Sequence, residues 1–175
     1  MNKTTSLRIF LPAGFLVLVL ILLSYVWFSP SGAQPAPQLV MTQLNGGQKI
    51  DLSSLRGRPV LVTFWATSCP GCIAEMPQLI KLYQELGPKG LEVIGVAMSY
   101  DQPDHVLEMQ KQKGIPYPIV WDGVGDISRA FGTVTLTPTH FLIDPQGEIV
   151  QHKIGDIDIK LLRARVLTML SKKSA

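Results

Sequence analysis

Residues 60–72 (VLVTFWATSCPGC) constrain this chain more than any other stretch. From Val60 to Ala66 the residues are β-branched, aliphatic or aromatic without clean alternation, the pattern of a central strand covered on both faces. A turn bearing Cys69 and Cys72 follows at once, and Ile73, Met76, Leu79, Ile80, Tyr83 and Leu86 then recur at helical spacing. The chain therefore predicts strand, Cys-x-x-Cys turn and helix in direct succession. Around this unit the pattern predicts a hairpin over 38–44 and 49–52, strands over 91–98 and 119–121, and helices over 103–113 and 126–131. A second hairpin over 139–144 and 148–154 and a closing helix over 157–170 complete the series. Alternating β and α elements ending in a hairpin and a helix imply an α/β fold, a mixed sheet with helices on both faces.

Only two cysteines occur in 175 residues, which excludes a disulfide-stapled miniprotein and a tandem cysteine zinc array. Three bland roles compete for the pair. A structural disulfide closing so short a loop stabilises little, roughly 2 kcal/mol against about 3 for a fifteen-residue loop. A zinc site would have to recruit His105, His140 and His152, which offer no closely spaced histidine pair. Inert core thiols sit poorly with the turn residues Pro70 and Gly71 beside a helix start. Redox chemistry suits the spacing best. Free N–H groups and the macrodipole of a helix N-terminus favour a thiolate at Cys69, and a thiol one helical turn on, Cys72, can displace whatever Cys69 captures. A low pKa matters most at the leaving group, so Cys69 is expected to attack and then depart, with Cys72 resolving.

The motif of residues 60–72, Pro77 five residues after the second cysteine, and Thr137-Pro138-Thr139 before the run HFLID resemble the thioredoxin superfamily. The N-terminal hairpin, Glu75 and an export signal make the chain similar to the membrane-anchored TlpA/ResA-type thiol-disulfide reductases. The resemblance implies a thioredoxin-like fold, a cis peptide before Pro138, and reduction of disulfides in exported proteins, with cytochrome c maturation as a common client pathway. It also implies that Glu75 relays the proton Cys72 must lose, and that Thr137 and Pro138 present an extended client segment to the cysteines, with Trp65 packed beneath them. No cofactor and no metal are expected beyond the thiols. Where many thioredoxins have a buried aspartate this chain has Thr63; Ser68 replaces the tryptophan that often precedes the first cysteine, and Thr139 stands where dedicated cytochrome-maturation reductases often carry glutamate. His140 is a further departure with no assigned role.

The other strong signal is N-terminal. Seventeen of the 20 residues from Ile9 to Phe28 are apolar, enough helix to span about 30 Å, the hydrocarbon thickness of a bilayer. Lys3 and Arg8 precede the run and the next cation is Lys49, so the positive-inside rule keeps residues 1–8 cytoplasmic and exports the remainder. The expected organisation is a cytoplasmic N-terminus (1–8), a transmembrane signal-anchor (9–28), an uncharged Pro/Gly/Ser-rich linker (29–37) and a thioredoxin-like domain (38–175). A cleaved signal peptide is the competing reading, since Ser31-Gly32-Ala33 has small-x-small spacing, and it too exports the domain.

The net charge of only +3 nominates no nucleic acid. The expected partners are exported proteins carrying disulfides and a transmembrane thiol relay that donates electrons. Two alternatives stay open: a thiol oxidase running the same exchange backwards, and a copper(I) metallochaperone using both thiolates with His140 or a methionine. A peroxidase is disfavoured, because Ala66 stands where the threonine three residues before a peroxide-reactive cysteine belongs.

Overall fold

The computed structural model describes residues 18–21, 24 and 34–173. The expected cytoplasmic N-terminus (1–8), and most of the span (9–28) and of the linker, lie outside the described residues. Among the described residues no helix is long and apolar enough to cross a membrane.

Gln34–Ala175 is one compact unit. In chain order it comprises β1 (Gln34–Pro35), β2 (Val40–Thr42), β3 (Lys49–Asp51), β4 (Val60–Trp65), α1 (Pro70–Leu86), β5 (Glu92–Ala97), α2 (Pro103–Lys113), β6 (Ile119–Trp121), α3 (Asp126–Ala130), β7 (Thr139–Ile143), β8 (Glu148–Ile154) and α4 (Ile159–Lys173). Six strands form one mixed sheet in the order β1-β8-β7-β4-β5-β6, and β2 with β3 form the separate hairpin. β4 runs parallel to β5 and antiparallel to β7, which places it at the centre.

All six residues of β4 are buried, as a strand covered on both faces requires. Its side chains divide by alternation. Leu61 and Trp65 join a core with Met76, Leu79, Leu82 and Leu86 of α1 and Leu162 and Val166 of α4. Val60, Val62 and Phe64 face the other way, against Met41 of the hairpin, Ile127 of α3, Phe131 and Phe141. Helices α1, α2 and α4 thus cover one face, and the short α3 with the hairpin covers the other.

Several element ends differ from the sequence reading by a residue or a few, and two of the differences have a physical reason. Gln34 and Pro35, expected inside the linker, pair antiparallel with Ile149 and Glu148, so the folded unit begins at Gln34. Two residues of edge strand carry no periodicity, and only the partner strand reveals them. The closing helix starts at Ile159 and not at 157, because Asp158 caps it: its Oδ1 accepts from the N–H groups of Lys160 and Leu161 at 2.9 and 3.0 Å. The hairpin strands are shorter than expected, three residues each.

Candidate active site

The cysteine turn is built by the end of β4 and the start of α1. Cys69 is the N-cap of α1, in extended backbone, and Pro70 occupies the first helical position, where its missing N–H costs nothing. The capping acceptor is the Cys69 sulfur itself, which takes the Cys72 N–H at 3.2 Å. Sγ of Cys69 and Sγ of Cys72 are joined in a disulfide, with Cα atoms 5.3 Å apart. The same helix-end N–H that caps the disulfide sulfur would hydrogen-bond a Cys69 thiolate after reduction and so favour it.

Cys69, expected to be the attacking thiol, is only 8% exposed, against 2% for Cys72. Its sulfur folds back over the first helical turn to reach the Cys72 N–H, which leaves a narrow approach. The order of accessibility is nevertheless the one that attack by Cys69 requires.

The Thr137–Pro138 peptide is cis. Pro138 lies beside the turn: a Cβ placed on Gly71 would come 3.6 Å from Pro138 Cδ and 3.2 Å from Asp156 Oδ1. Thr137 is partly exposed, its Oγ1 is 3.5 Å from the Tyr100 hydroxyl, and its own N–H and C=O take no part in the backbone hydrogen bonds of the described residues outside helices and strands. Trp65, expected beside Thr137 and Pro138 among the substrate-binding residues, is 4% exposed and shares a core with both cysteines, Leu61 and Ala97, where it supports the turn from below. Gly95 makes room for it, since a Cβ there would stand 3.2 Å from Trp65 Nε1 and 2.5 Å from Ile119 Cδ1.

Glu75 lies three residues after Cys72 on α1 and is 6% exposed, a carboxyl buried beneath the disulfide. Its Oε2 is 3.5 Å from the Ile157 N–H, at the long limit of a hydrogen bond. Its Oε1 is 3.1 Å from Nε2 of His140. Tyr117 is close enough that burial, and then the Glu75 charge, push its phenol upward from the ordinary value.

Of two further residues of the site, one was not singled out by the sequence and the other was noted without a role. Asp101, buried at the end of the β5 loop, accepts from the Thr67 N–H and from the Thr67 hydroxyl, each at 2.6 Å, and also from the Gln102 N–H at 3.1 Å. It ties the residue two before Cys69 to the neighbouring strand's loop. The signal was present only as an aspartate just ahead of a Gln-Pro helix start, which reads equally well as a surface turn. His140 was noted but not placed; β7 carries it to the register position opposite Thr63 on β4, facing α1.

The family model described as Redoxin matches residues 31–166. The chain belongs to the Redoxin family. Redoxin relatives extend the likeness: "Thiol-disulfide oxidoreductase ResA" of Bacillus thuringiensis subsp. konkukian is 38% identical over 122 residues, 69% of this chain and 68% of that protein. The ResA of Bacillus subtilis is 30% identical over 156 residues, covering 85% of this chain and 86% of that one. Among solved structures, a thiol:disulfide interchange protein of the thioredoxin family from Chlorobium tepidum superposes with a TM-score of 0.73 at 27% identity, covering 81% of this chain and 99% of its own. StoA from Bacillus subtilis superposes with a TM-score of 0.63 at 26% identity, covering 74% and 98%. This redoxin therefore has the thioredoxin-like fold and the TlpA/ResA-like character that the motifs implied, and it is a thiol–disulfide oxidoreductase.

Proposed function

We propose that the chain is a membrane-tethered reductase of disulfides in exported proteins. The observation that carries this reading is the Cys69–Cys72 disulfide at the N-cap of α1, with the Cys72 N–H aimed at the Cys69 sulfur. In the reduced protein, the Cys69 thiolate attacks a client disulfide: a Cys69–client S–S bond forms, the client bond breaks, and one client thiolate leaves. Glu75 then takes the Cys72 proton. The Cys72 thiolate attacks the Cys69 sulfur, the internal disulfide closes, and the second client thiolate departs. Two electrons have passed from the cysteine pair to the client.

Thr137 and Pro138 flank this exchange. The backbone of Thr137, uncommitted within the fold, offers an edge on which an extended client segment can pair across the cysteines. Tyr100 and Leu136, large side chains exposed near that edge, add apolar contact. Residues 9–28 form the anchor, residues 1–8 remain on the cytoplasmic side, and the catalytic domain stands in the periplasm of a bacterial inner membrane, where free thiol reductant is scarce. A transmembrane thiol relay then resupplies electrons, and cytochrome c maturation proteins are a fitting client class.

The test is insulin reduction by purified protein with a chemical dithiol as donor. Cys69→Ser should abolish turnover; a variant that retained it would end the proposal. Equilibration with glutathione buffers checks the direction of flow, with a potential below that of the buffer expected for a reductase and one near the strong oxidants reversing the assignment.

A further inference from the structure

Beneath the cysteine turn lies a pair of ionisable side chains that the thiol exchange alone does not explain. His140 is 1% exposed, and its Nε2 is 3.1 Å from Oε1 of Glu75. Among the described residues neither of its ring nitrogens makes a hydrogen bond of good geometry. Burying an imidazole against a carboxyl costs stability that an apolar residue at the same position would not cost. β7 nonetheless places it on the α1 face, between Thr63 on β4 and Lys153 on β8.

We propose that His140 is the proton partner of Glu75: the two buried side chains hold one proton between them and exchange it with the Cys72 thiol. The inference rests on Cys69 as attacking and Cys72 as resolving thiol. In the resolving step the Cys72 S–H bond breaks and its proton passes to the pair, while the sulfur's electrons form the bond to Cys69 Sγ. The Cys69–client bond breaks, and its electron pair leaves on the client thiolate, which takes a proton from solvent. When a donor dithiol reopens the internal disulfide, Cys72 departs as thiolate and recovers the proton from the pair. His140 acts through Glu75 and is a positioning residue.

The physical advantage is additive. The proton affinity of a coupled pair is the sum of the affinities of its two sites, so the imidazole can only raise what the carboxylate holds alone. An ordinary carboxyl releases its proton near pH 4.3 and an ordinary imidazole near about 6.5, so the second site makes proton storage effective near neutrality. Other groups facing the pair do not compete for this role. Thr63 brings only a hydroxyl, and the Tyr117 phenol is pushed away from neutrality by burial and by Glu75. Lys153 and Asp156 lie at the surface, and Ile157 contributes its N–H.

The test is a single turnover of reduced protein with a small aromatic disulfide. The first thiolate released reports attack by Cys69, and the second reports closure by Cys72. His140→Gln keeps an amide N–H where the neutral ring places Nε2, and removes one proton site. It should move the acid limb of the second release to lower pH by about one unit, a tenfold change in proton affinity, and lower the plateau. Glu75→Gln should remove that limb, and the double variant should lose little more. A limb unmoved in His140→Gln overturns the inference, whereas absence of the first release would refute the assignment of Cys69 instead. Should His140→Gln fail to fold, histidine ring NMR of the otherwise native chain decides. At one pH near neutrality, Glu75→Gln should lower the protonated fraction of His140 read from its ring nitrogen shifts and leave the signals of exposed His105 and His152 in place. An unmoved His140 signal also overturns it.

Discussion

The two faces of the central sheet are made from the same strands and have opposite characters. On the face toward α3 and the hairpin, Val62, Phe64, Ile94, Val96, Phe141 and Ile143 form one apolar core, and the only imidazole that meets it among the described residues is exposed His152, stacked on Phe141 at its edge. Phe64, Phe131 and Phe141 form a ring cluster with centroids 4.9 to 5.9 Å apart, mostly edge to face, a geometry that adds to their burial. On the face toward α1, the alternate positions include Thr63, Trp65 and His140, with Glu75 and the cysteine pair above them. A one-residue step along β4 or β7 therefore separates packing from chemistry. The apolar face supports the strand ends rigidly, and the polar face can hold groups whose burial is costly but whose protons are useful.

The largest effect that sharpens this division belongs to Cys72. Cys72→Ala should eliminate turnover and leave Cys69 joined to its client as a stable mixed disulfide, visible as a mass shift that a dithiol reverses. Next is Phe64→Ala, on the opposite face of the same strand. Loss of the ring should destabilise the domain by about 3–5 kcal/mol in urea unfolding, while the second-order rate of the Cys69 thiolate with a small disulfide stays within about twofold in protein still folded. A large loss in that rate would show that the two faces are not separable.

Glu75→Gln is the converse. Gln keeps the side chain's shape and an acceptor oxygen for the Ile157 N–H, so the change should cost at most about 1 kcal/mol of global stability, while the resolving step slows by about 10²-fold at pH 7, roughly 2.7 kcal/mol. Equal losses in stability and rate would reduce Glu75 to a packing residue. Asp101→Ala comes below it. Removing the acceptor for Thr67 should cost about 1.5–3 kcal/mol of stability and loosen the approach to Cys69, seen as faster alkylation of the reduced thiol.

The apolar face was largely legible in advance, and the polar one only in part. Strong local patterns specified α2 and the strands β6 and β8 to the residue, because their boundaries coincide with proline, glycine and turn residues: Pro103 opens α2, and Gly114, in left-handed backbone, closes it. The cysteines and the Thr137–Pro138 turn were readable because each lies in a short motif. What could not be read is contact across the sheet. Glu75 and His140 are 65 residues apart and meet only because β7 lies beside β4 under α1. Asp101 is 34 residues from Thr67, and β1 acquires its partner from the far end of the chain. Spacing along the chain carries no trace of such pairings.

The smallest expected effect tests whether Glu75 is charged where the polar face needs it. The Tyr117 phenol is pushed above its ordinary value first by burial and then by the negative charge of Glu75. A group whose proton is held more tightly in the folded state contributes its full stability below the unfolded value, about pH 10, and loses it as pH rises beyond that. Wild-type protein should therefore lose stability as pH rises above about 10 more steeply than Tyr117→Phe, which has no phenol to ionise. Tyr83, edge-on to Tyr117 at 5.8 Å and also shifted upward, remains in both proteins and cancels in the difference. Glu75→Gln should shrink that difference without abolishing it, because burial is the larger cause and persists. A difference unchanged by Glu75→Gln would mean that the carboxyl is already protonated at high pH, and the polar face would then carry no negative charge to complement His140.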